Sequence, residues 1–203
     1  MEMIIALCVF AFSTSITPGP NNIMLMSSGA NYGVQRTLPH LFGVVSGFAL
    51  MLVLVGLGGG VLFEQFPLAY QLIKFVGIGY MAYLAFRIAT ASRGQLDDAA
   101  DRPMTAMQAV LFQWVNGKAW IMVTGAVATF TSAGDHYWLQ LVLITATFFI
   151  VGAPCNLAWV LFGRSMQSFI NETSKQRLFN RMMGGLLFLS ILPAVVEIAQ
   201  EWQ

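Results

Sequence analysis

The sequence predicts an all-α membrane protein in which six transmembrane helices form two inverted three-helix repeats. Three observations predict it: hydrophobic residues make up 57% of the 203 residues, charged residues make up only 9%, and long apolar stretches alternate with short polar ones. A soluble domain carries about 25% charged residues. Lipid-spanning strands would form a barrel from alternating segments of about ten residues, whereas these stretches are longer and apolar on every side.

The composition also excludes several classes of function. A formal net charge of +1 offers no basic surface to a nucleic acid, and two cysteines do not make a disulfide scaffold. The sequence contains no HExxH motif, nucleotide-binding glycine loop or Cys/His metal cluster. Its clear carboxylates lie in loops or at the ends of apolar stretches. We therefore expect a protein that is not an enzyme and binds no metal, cofactor or nucleic acid.

The first apolar stretch is predicted to be retained as a membrane helix. Its only early charge is Glu2, and the apolar run resumes after Pro20. A cleaved signal peptide has a positively charged start and a small-residue cleavage site, and neither pattern fits here.

Gaps between the charged residues place the six spans in order. They are about Met3–Ser28, His40–Leu62, Leu68–Ile88, Ala106–Phe130, Trp138–Phe162 and Met182–Ala199. Span 1 is interrupted near Pro18–Pro20 and span 4 at residues 115–118, while Pro39 opens span 2 at a favourable first-turn position. The polar stretch 92–103 divides one membrane domain into repeats 1–91 and 104–203, and a second polar loop is predicted at Arg164–Arg181.

The distribution of Lys and Arg predicts the orientation. Eight of the ten fall in predicted loops 1, 3 and 5: Arg36, Arg87, Arg93, Arg102, Arg164, Lys175, Arg177 and Arg181. Because cytoplasmic loops are enriched in these residues, we expect loops 1, 3 and 5 in the cytoplasm and both termini outside.

A shift of 96 residues aligns the two halves. It pairs Leu25, Met26, Ser28, Gly29 and Ala30 with Ile121, Met122, Thr124, Gly125 and Ala126. The two interruptions then coincide to within two positions. An odd number of spans per repeat gives the halves opposite orientations, and interrupted helices at corresponding positions indicate the binding site of a secondary transporter.

The first interruption is Thr17-Pro18-Gly19-Pro20-Asn21-Asn22. Neither proline has an N–H donor, so carbonyls near residues 13–16 lose their helical partners and must face protein or a polar cavity. The half-helix that starts near Asn21 presents free N–H groups and a positive dipole end, which suit a carboxylate. Asn21 and Asn22 add amide groups. A simple proline kink capped by asparagine is the alternative.

The second interruption, Gln113-Trp114-Val115-Asn116-Gly117-Lys118, places a lysine inside a span. A lysine at membrane depth is costly and marks a functional site. Lys118 could pair with a substrate carboxylate or exchange a proton; alternatively, span 4 starts at Asn116 and Lys118 extends to the interface. Asn156 in span 5 either lines the pathway or bonds across helices.

Other polar and small residues receive structural roles. His40 and His136 are expected at the membrane interface. Glycines four residues apart, such as Gly29/Gly33 and Gly43/Gly47, are expected to permit close helix crossing.

The sequence resembles the LysE/RhtB amino-acid exporter family over essentially the whole chain, and it is most similar to the cysteine/O-acetylserine exporter branch. The resemblance rests on the residues of both interruptions, the glycine-rich second span and Asn156-Leu157-Ala158-Trp159. The resemblance implies a multi-pass protein of the bacterial inner membrane that exports amino acids by proton exchange, and it allows a homodimer. It gives functional weight to Pro18, Gly19, Pro20, Asn22, Gln113, Asn116 and Lys118. Many relatives have Asn-Pro-Lys where this chain has Asn116-Gly117-Lys118, so the second break is less rigid here.

The sequence therefore predicts an exporter of small neutral amino acids or close derivatives, such as cysteine, O-acetylserine, threonine or homoserine. Dipole ends and Lys118 would hold the carboxylate, and Asn22, Asn116 and Gln113 the other polar groups. The absence of intramembrane carboxylates disfavours a cationic substrate such as lysine. One half would rock against the other. A passive small-solute channel and a non-transporting membrane scaffold are the alternatives.

Overall fold

The computed structural model describes residues 2–59, 65, 67–91, 102–170 and 172–201. Within these ranges the chain forms seven α-helices: α1 (Glu2–Ile16), α2 (Pro20–Leu54), α3 (Pro67–Thr90), α4 (Ala106–Phe112), α5 (Gly117–Phe130), α6 (Tyr137–Met166) and α7 (Thr173–Glu201). A π-helical turn, Val55–Gly59, extends α2, and a 3-10 turn, Gln113–Val115, follows α4. The described residues contain no strand, which confirms the all-α prediction.

Helix α2 is two helical segments that fold back on each other at Gly33. Gly33 has φ +77° and ψ 174°, a left-handed conformation that residues with a Cβ atom rarely adopt. Ser28 and His40 would be about 18 Å apart along a continuous helix. Their side chains are instead 3.2 Å apart, so residues 20–32 and 34–54 lie side by side.

Both predicted interruptions are present. Helix α1 ends at Ile16 and α2 begins at Pro20, with extended backbone at Gly19. The second break consists of the 3-10 turn and an extended Asn116. The helices that follow the breaks start 97 residues apart, at Pro20 and Gly117, close to the shift of the predicted repeat.

Two predicted boundaries were wrong. Pro39 lies inside α2 and does not open a helix, because the second segment already starts after Gly33. The predicted polar loop Arg164–Arg181 is largely helical: α6 continues to Met166 and α7 begins at Thr173. Charged residues mark where a chain leaves the hydrocarbon, whereas a helix can continue into water. Most of the polar stretch 92–103 lies outside the described residues.

Three helical stretches of the described chain are long and apolar enough to cross a membrane: Pro20–Gly58, Gln71–Thr90 and Tyr137–Met166. The helices Glu2–Ile16 and Ala106–Val115 are apolar but shorter. Because the chain folds back at Gly33, the first stretch comprises two segments. The inverted six-span arrangement and the two-repeat boundaries remain predictions.

The buried core does not separate along the two halves of the sequence. One cluster joins Leu7 and Ala11 of α1 to Val123 of α5 and to Ile144 and Phe148 of α6. A second cluster joins residues of α2, α3, α4 and α7: Ile23, Met24, Met26, Met81, Leu84, Ala85, Phe112, Met183, Leu187 and Ile191. Each cluster therefore combines residues from both predicted repeats.

Several glycines permit these close crossings, as predicted. A Cβ atom at Gly29 would collide with the backbone of Val160, and one at Gly43 with that of Ala106. Gly33 was predicted to serve packing, but the space around it is open and it forms the turn within α2.

Candidate functional site

Residues of the two helix breaks line one cavity, which has both polar and apolar walls. Five residues that the sequence predicts as site residues line it: Asn21, Asn22, Asn116, Lys118 and Asn156. The centres of water molecules can occupy about 40 Å³ of this cavity, which is enough for roughly three waters. Among the described residues that line it, Lys118 is the only charged one. We call this the first cavity.

At the first break, side chains donate hydrogen bonds to backbone carbonyls that have no helical donor. The Asn22 side-chain amide donates to the Ser15 carbonyl at 2.9 Å, and the Trp159 indole donates to the Ile16 carbonyl at 3.2 Å. Both prolines leave backbone acceptors without helical donors, and protein groups satisfy them here. The predicted loss of helical partners is therefore accommodated inside the protein at Ser15 and Ile16, whereas the Ser13 carbonyl still accepts from the Thr17 backbone N–H at 3.3 Å.

Lys118 extends from the second break to the first. Its ammonium donates to the carbonyl of Thr17, at the carbonyl end of α1. That end of a helix carries partial negative charge, so the contact stabilises the cation. The side chain is about half-buried and packs over Gly19, where an added Cβ atom would lie 2.6 Å from the Lys118 Cδ. In this conformation a backbone dipole occupies the position that a substrate carboxylate could take.

The second break is capped locally. Asn116 is the N-cap of α5, and its side-chain oxygen accepts from the Lys118 backbone N–H at 3.2 Å. The Trp120 indole donates to the Trp114 carbonyl at 2.9 Å across the same break. Asn116 is 2% exposed yet contributes to the cavity lining.

A pair of hydrogen bonds links the two breaks. The Asn21 amide donates to the Gln113 side-chain oxygen at 2.9 Å, and the Gln113 amide donates back at 3.3 Å. Gln113 also donates to the Ala109 carbonyl at 2.9 Å and is fully buried. Gln113 therefore lies behind the cavity wall and supports it, but it is not part of the lining.

The remaining predicted residues have different placements. Asn156 lines the cavity while donating to the Gly152 carbonyl one turn earlier in α6. Pro18, Gly19 and Pro20 form the break but are outside the lining. Residues missed from the sequence are the polar Thr14 and Ser15 and a set of apolar ones: Val44, Val45, Phe48, Ala119, Met122, Phe148 and Gly152. Ordinary helical spacing gives no indication that these residues face a cavity.

A second cavity lies between α2, α3 and the start of α4. The space open to the centres of water-sized spheres is about 160 Å³, and the lining includes His40, Tyr80, Arg87 and Arg102. His40 was predicted at the membrane interface, but only 1% of it is exposed. The fold-back at Gly33, which its neighbours in sequence do not indicate, buries it against Ser28.

The family model described as LysE type translocator matches residues 12–192. This chain belongs to that family. Curated relatives include cysteine/O-acetylserine efflux proteins of Escherichia coli strain K12, of Escherichia coli O1:K1 / APEC and of Shigella flexneri serotype 5b. Each is 26% identical over 174 residues, which cover 84% of this chain and 87% of the relative. No solved structure gives a significant match.

The family resemblance is thus confirmed, and with it the broad class of function. The protein is a membrane transporter rather than an enzyme, and its family and relatives support amino-acid export. The apolar helices agree with a location in a lipid membrane.

Proposed function

We propose that this transporter exports small neutral amino acids or their close derivatives across the bacterial inner membrane, driven by proton exchange. Cysteine, O-acetylserine, threonine and homoserine are the favoured substrates. The observation that carries the proposal is that both helix breaks contribute polar groups to one cavity, in which Lys118 is the single cation among the described lining residues. Efflux of cysteine and O-acetylserine by the relatives, as their names state, supports the same substrate class.

The chemistry of the lining matches a zwitterion. Lys118 would exchange the Thr17 carbonyl for the substrate carboxylate, beside the N-terminal end of α2. The substrate ammonium would find amide oxygens of Asn22, Asn116 or Asn156. No carboxylate of the described residues contributes to this lining, so the additional cation of a lysine side chain would lack an ionic partner there. The cavity of about 40 Å³ also favours a small substrate.

The proposed orientation follows the distribution of Lys and Arg, with both termini outside and loops 1, 3 and 5 in the cytoplasm. The second cavity, lined by Arg87 and Arg102, would then open toward the cytoplasm. Because each core cluster combines both repeats, the moving units of alternating access would be mixed rather than the two halves themselves. The inverted repeat and a homodimer are also part of this proposal. The accessibility of introduced cysteines from each side of the membrane tests the repeat, and crosslinking in membranes tests the dimer.

Efflux from a bacterial host that overexpresses the protein tests the proposed function. Cells are preloaded with cysteine, O-acetylserine, threonine, homoserine, leucine or lysine. We expect saturable efflux of one or a few neutral compounds, which a protonophore abolishes. Lys118→Met and Asn22→Ala should abolish it at normal membrane expression. Lys175→Met is the matched control, because Lys175 is an exposed lysine that pairs with Glu172.

The outcomes separate the alternatives. Efflux that does not saturate and ignores the protonophore would indicate a passive channel. Unchanged efflux in Lys118→Met would refute the site assignment, and efflux equal to that of the empty vector for every compound would contradict the proposed substrate class.

A further inference from the structure

We propose that His40 carries the proton whose exchange drives export. The inference rests on the proposed proton-driven function and names a residue for it in the second cavity. No carboxylate lines either cavity within the described chain, so an acidic proton carrier is absent from both linings. His40 is the imidazole in the second lining, and it is almost completely buried.

The hydrogen bonding of His40 leaves one ring nitrogen free. Nδ1 is 3.2 Å from the Ser28 hydroxyl, while the buried Nε2 has no hydrogen-bond partner among the described residues. Leaving a buried polar atom unpaired is costly, which indicates a partner that binds and leaves. The cavity has room for roughly ten waters. Nε2 has almost no accessible surface in this conformation, so a movement of the lining side chains would bring it into contact with these waters.

The Ser28 hydroxyl suits both protonation states of the ring. A neutral imidazole has one donor and one acceptor, whereas the protonated ring has two donors. A hydroxyl can donate to Nδ1 or accept from it, so this contact persists when Nε2 gains or loses a proton. The proton bound at Nε2 is then the only change the site requires, and it passes to or from cavity water.

The other titratable and charged groups that face this cavity have a different chemistry. They are Tyr32 on α2, Tyr80, Tyr83 and Arg87 on α3, and Arg102 before α4; α4 contributes the uncharged Gln108. Helix α7 supplies uncharged amides nearby, where Gln176 and Asn180 bond to Asn31. Of these side-chain types, imidazole is the one that most readily exchanges a proton near neutral pH.

The histidine is connected to the first cavity through α2. Its partner Ser28 lies six residues after Asn22, about 9 Å along one rigid segment. On the other segment, His40 lies one turn before Val44, which lines the first cavity. A proton at His40 that shifts one segment against the other would therefore move residues on both sides of that cavity.

Transport by the purified full-length protein in proteoliposomes tests the inference, with radiolabelled cysteine as the probe. Gradient-driven transport requires proton exchange, whereas counterflow exchanges cysteine for cysteine without net proton movement. We expect His40→Gln to lose gradient-driven transport by about 5- to 150-fold, the usual range of coupling between two sites, and to keep counterflow. His136→Gln, which replaces the only other histidine, should keep both activities, and Lys118→Met should lose both.

Other outcomes would overturn the inference in distinguishable ways. If His40→Gln keeps gradient-driven transport, or loses counterflow as well, His40 is not the proton carrier and the exporter function stands. If the wild-type protein performs counterflow without responding to a proton gradient, proton coupling fails and the inference fails with it. If the wild type moves cysteine in neither mode, the proposed function fails for this substrate, and the inference falls with it.

A measurement without transport addresses the same site. In the His136→Gln variant, isotope-labelled histidine reports His40 alone by NMR in lipid nanodiscs. We expect Nε2 to lose its proton as the pH is raised. A ring that stays neutral at every pH at which the variant performs counterflow would refute proton binding.

Discussion

The two helix breaks have similar positions in their repeats but are stabilised in different ways. At the first break, Gly19 caps α2 without a side chain, and the released carbonyls are bonded partly by distant residues, Trp159 and Lys118. At the second break, Asn116 caps α5 with its own side chain, and Trp120 bonds to Trp114 nearby. The first break thus depends on the tertiary structure, whereas the second is capped within a few residues, although its Gln113 also bonds to Asn21 of the first break.

This difference explains why the second break forms with a glycine after Asn116, where many relatives have a proline. Gly117 has open space around it, and the capping bond of Asn116 to the backbone of Lys118 starts the helix. The first break uses two prolines that remove donors, so residues elsewhere in the fold must supply the missing hydrogen bonds. Substitution of the glycine at the first break should therefore affect transport, whereas substitution of the glycine at the second should not.

The largest expected effect comes from matched glycine substitutions at the two breaks. A Cβ atom at Gly19 would lie 2.6 Å from the Lys118 Cδ, whereas one at Gly117 meets nothing within 4 Å. Gly19→Ala should displace the flexible Lys118 side chain and lower the rate of efflux about tenfold, equivalent to about 1.4 kcal/mol of binding. Its thermal stability should change little, because the displaced atoms are the far end of a mobile side chain. Gly117→Ala should retain transport; equal losses in both variants would contradict the comparison.

A smaller effect is expected at the cap of α5. Asn116→Ala removes the side-chain acceptor for the Lys118 backbone N–H, and we expect it to lower the free energy of unfolding by about 1 kcal/mol. Asn116→Ser should retain most of the stability, because serine also caps helices. Denaturation of the purified protein in mild detergent measures both. An alanine variant as stable as the wild type would show that α5 does not need this cap.

The smallest effect is expected at Trp159. Trp159→Phe keeps an aromatic ring but removes the donor to the Ile16 carbonyl. Hydrogen bonds between membrane helices contribute about 0.6 kcal/mol on average, so the loss of stability should be of that order. The same denaturation measurement checks it, with Trp138→Phe, an exposed tryptophan at the start of α6, as the control. If both variants lose equal stability, the indole does not support the first break.

The features that were predictable from the sequence depend on local chemistry. Pro18 and Pro20 lack N–H groups wherever they occur, and Asn116 favours a helix N-cap, so both breaks were located correctly. The burial of His40 depends on Gly33, whose left-handed backbone brings residues 34–54 beside residues 20–32. Nothing near His40 in the sequence indicates that contact. Likewise, the charges of residues 173–181 suggested a loop, although the helix begins at Thr173.

The mixed composition of the core has a consequence for biosynthesis. Leu7 and Ala11 are buried against Ile144 and Phe148, which the ribosome adds more than a hundred residues later. The first predicted repeat therefore cannot complete its packing when its synthesis ends. The packing face of α1 meets these partners only after α6 has been made, so a chain that ended before α6 would leave that face without them.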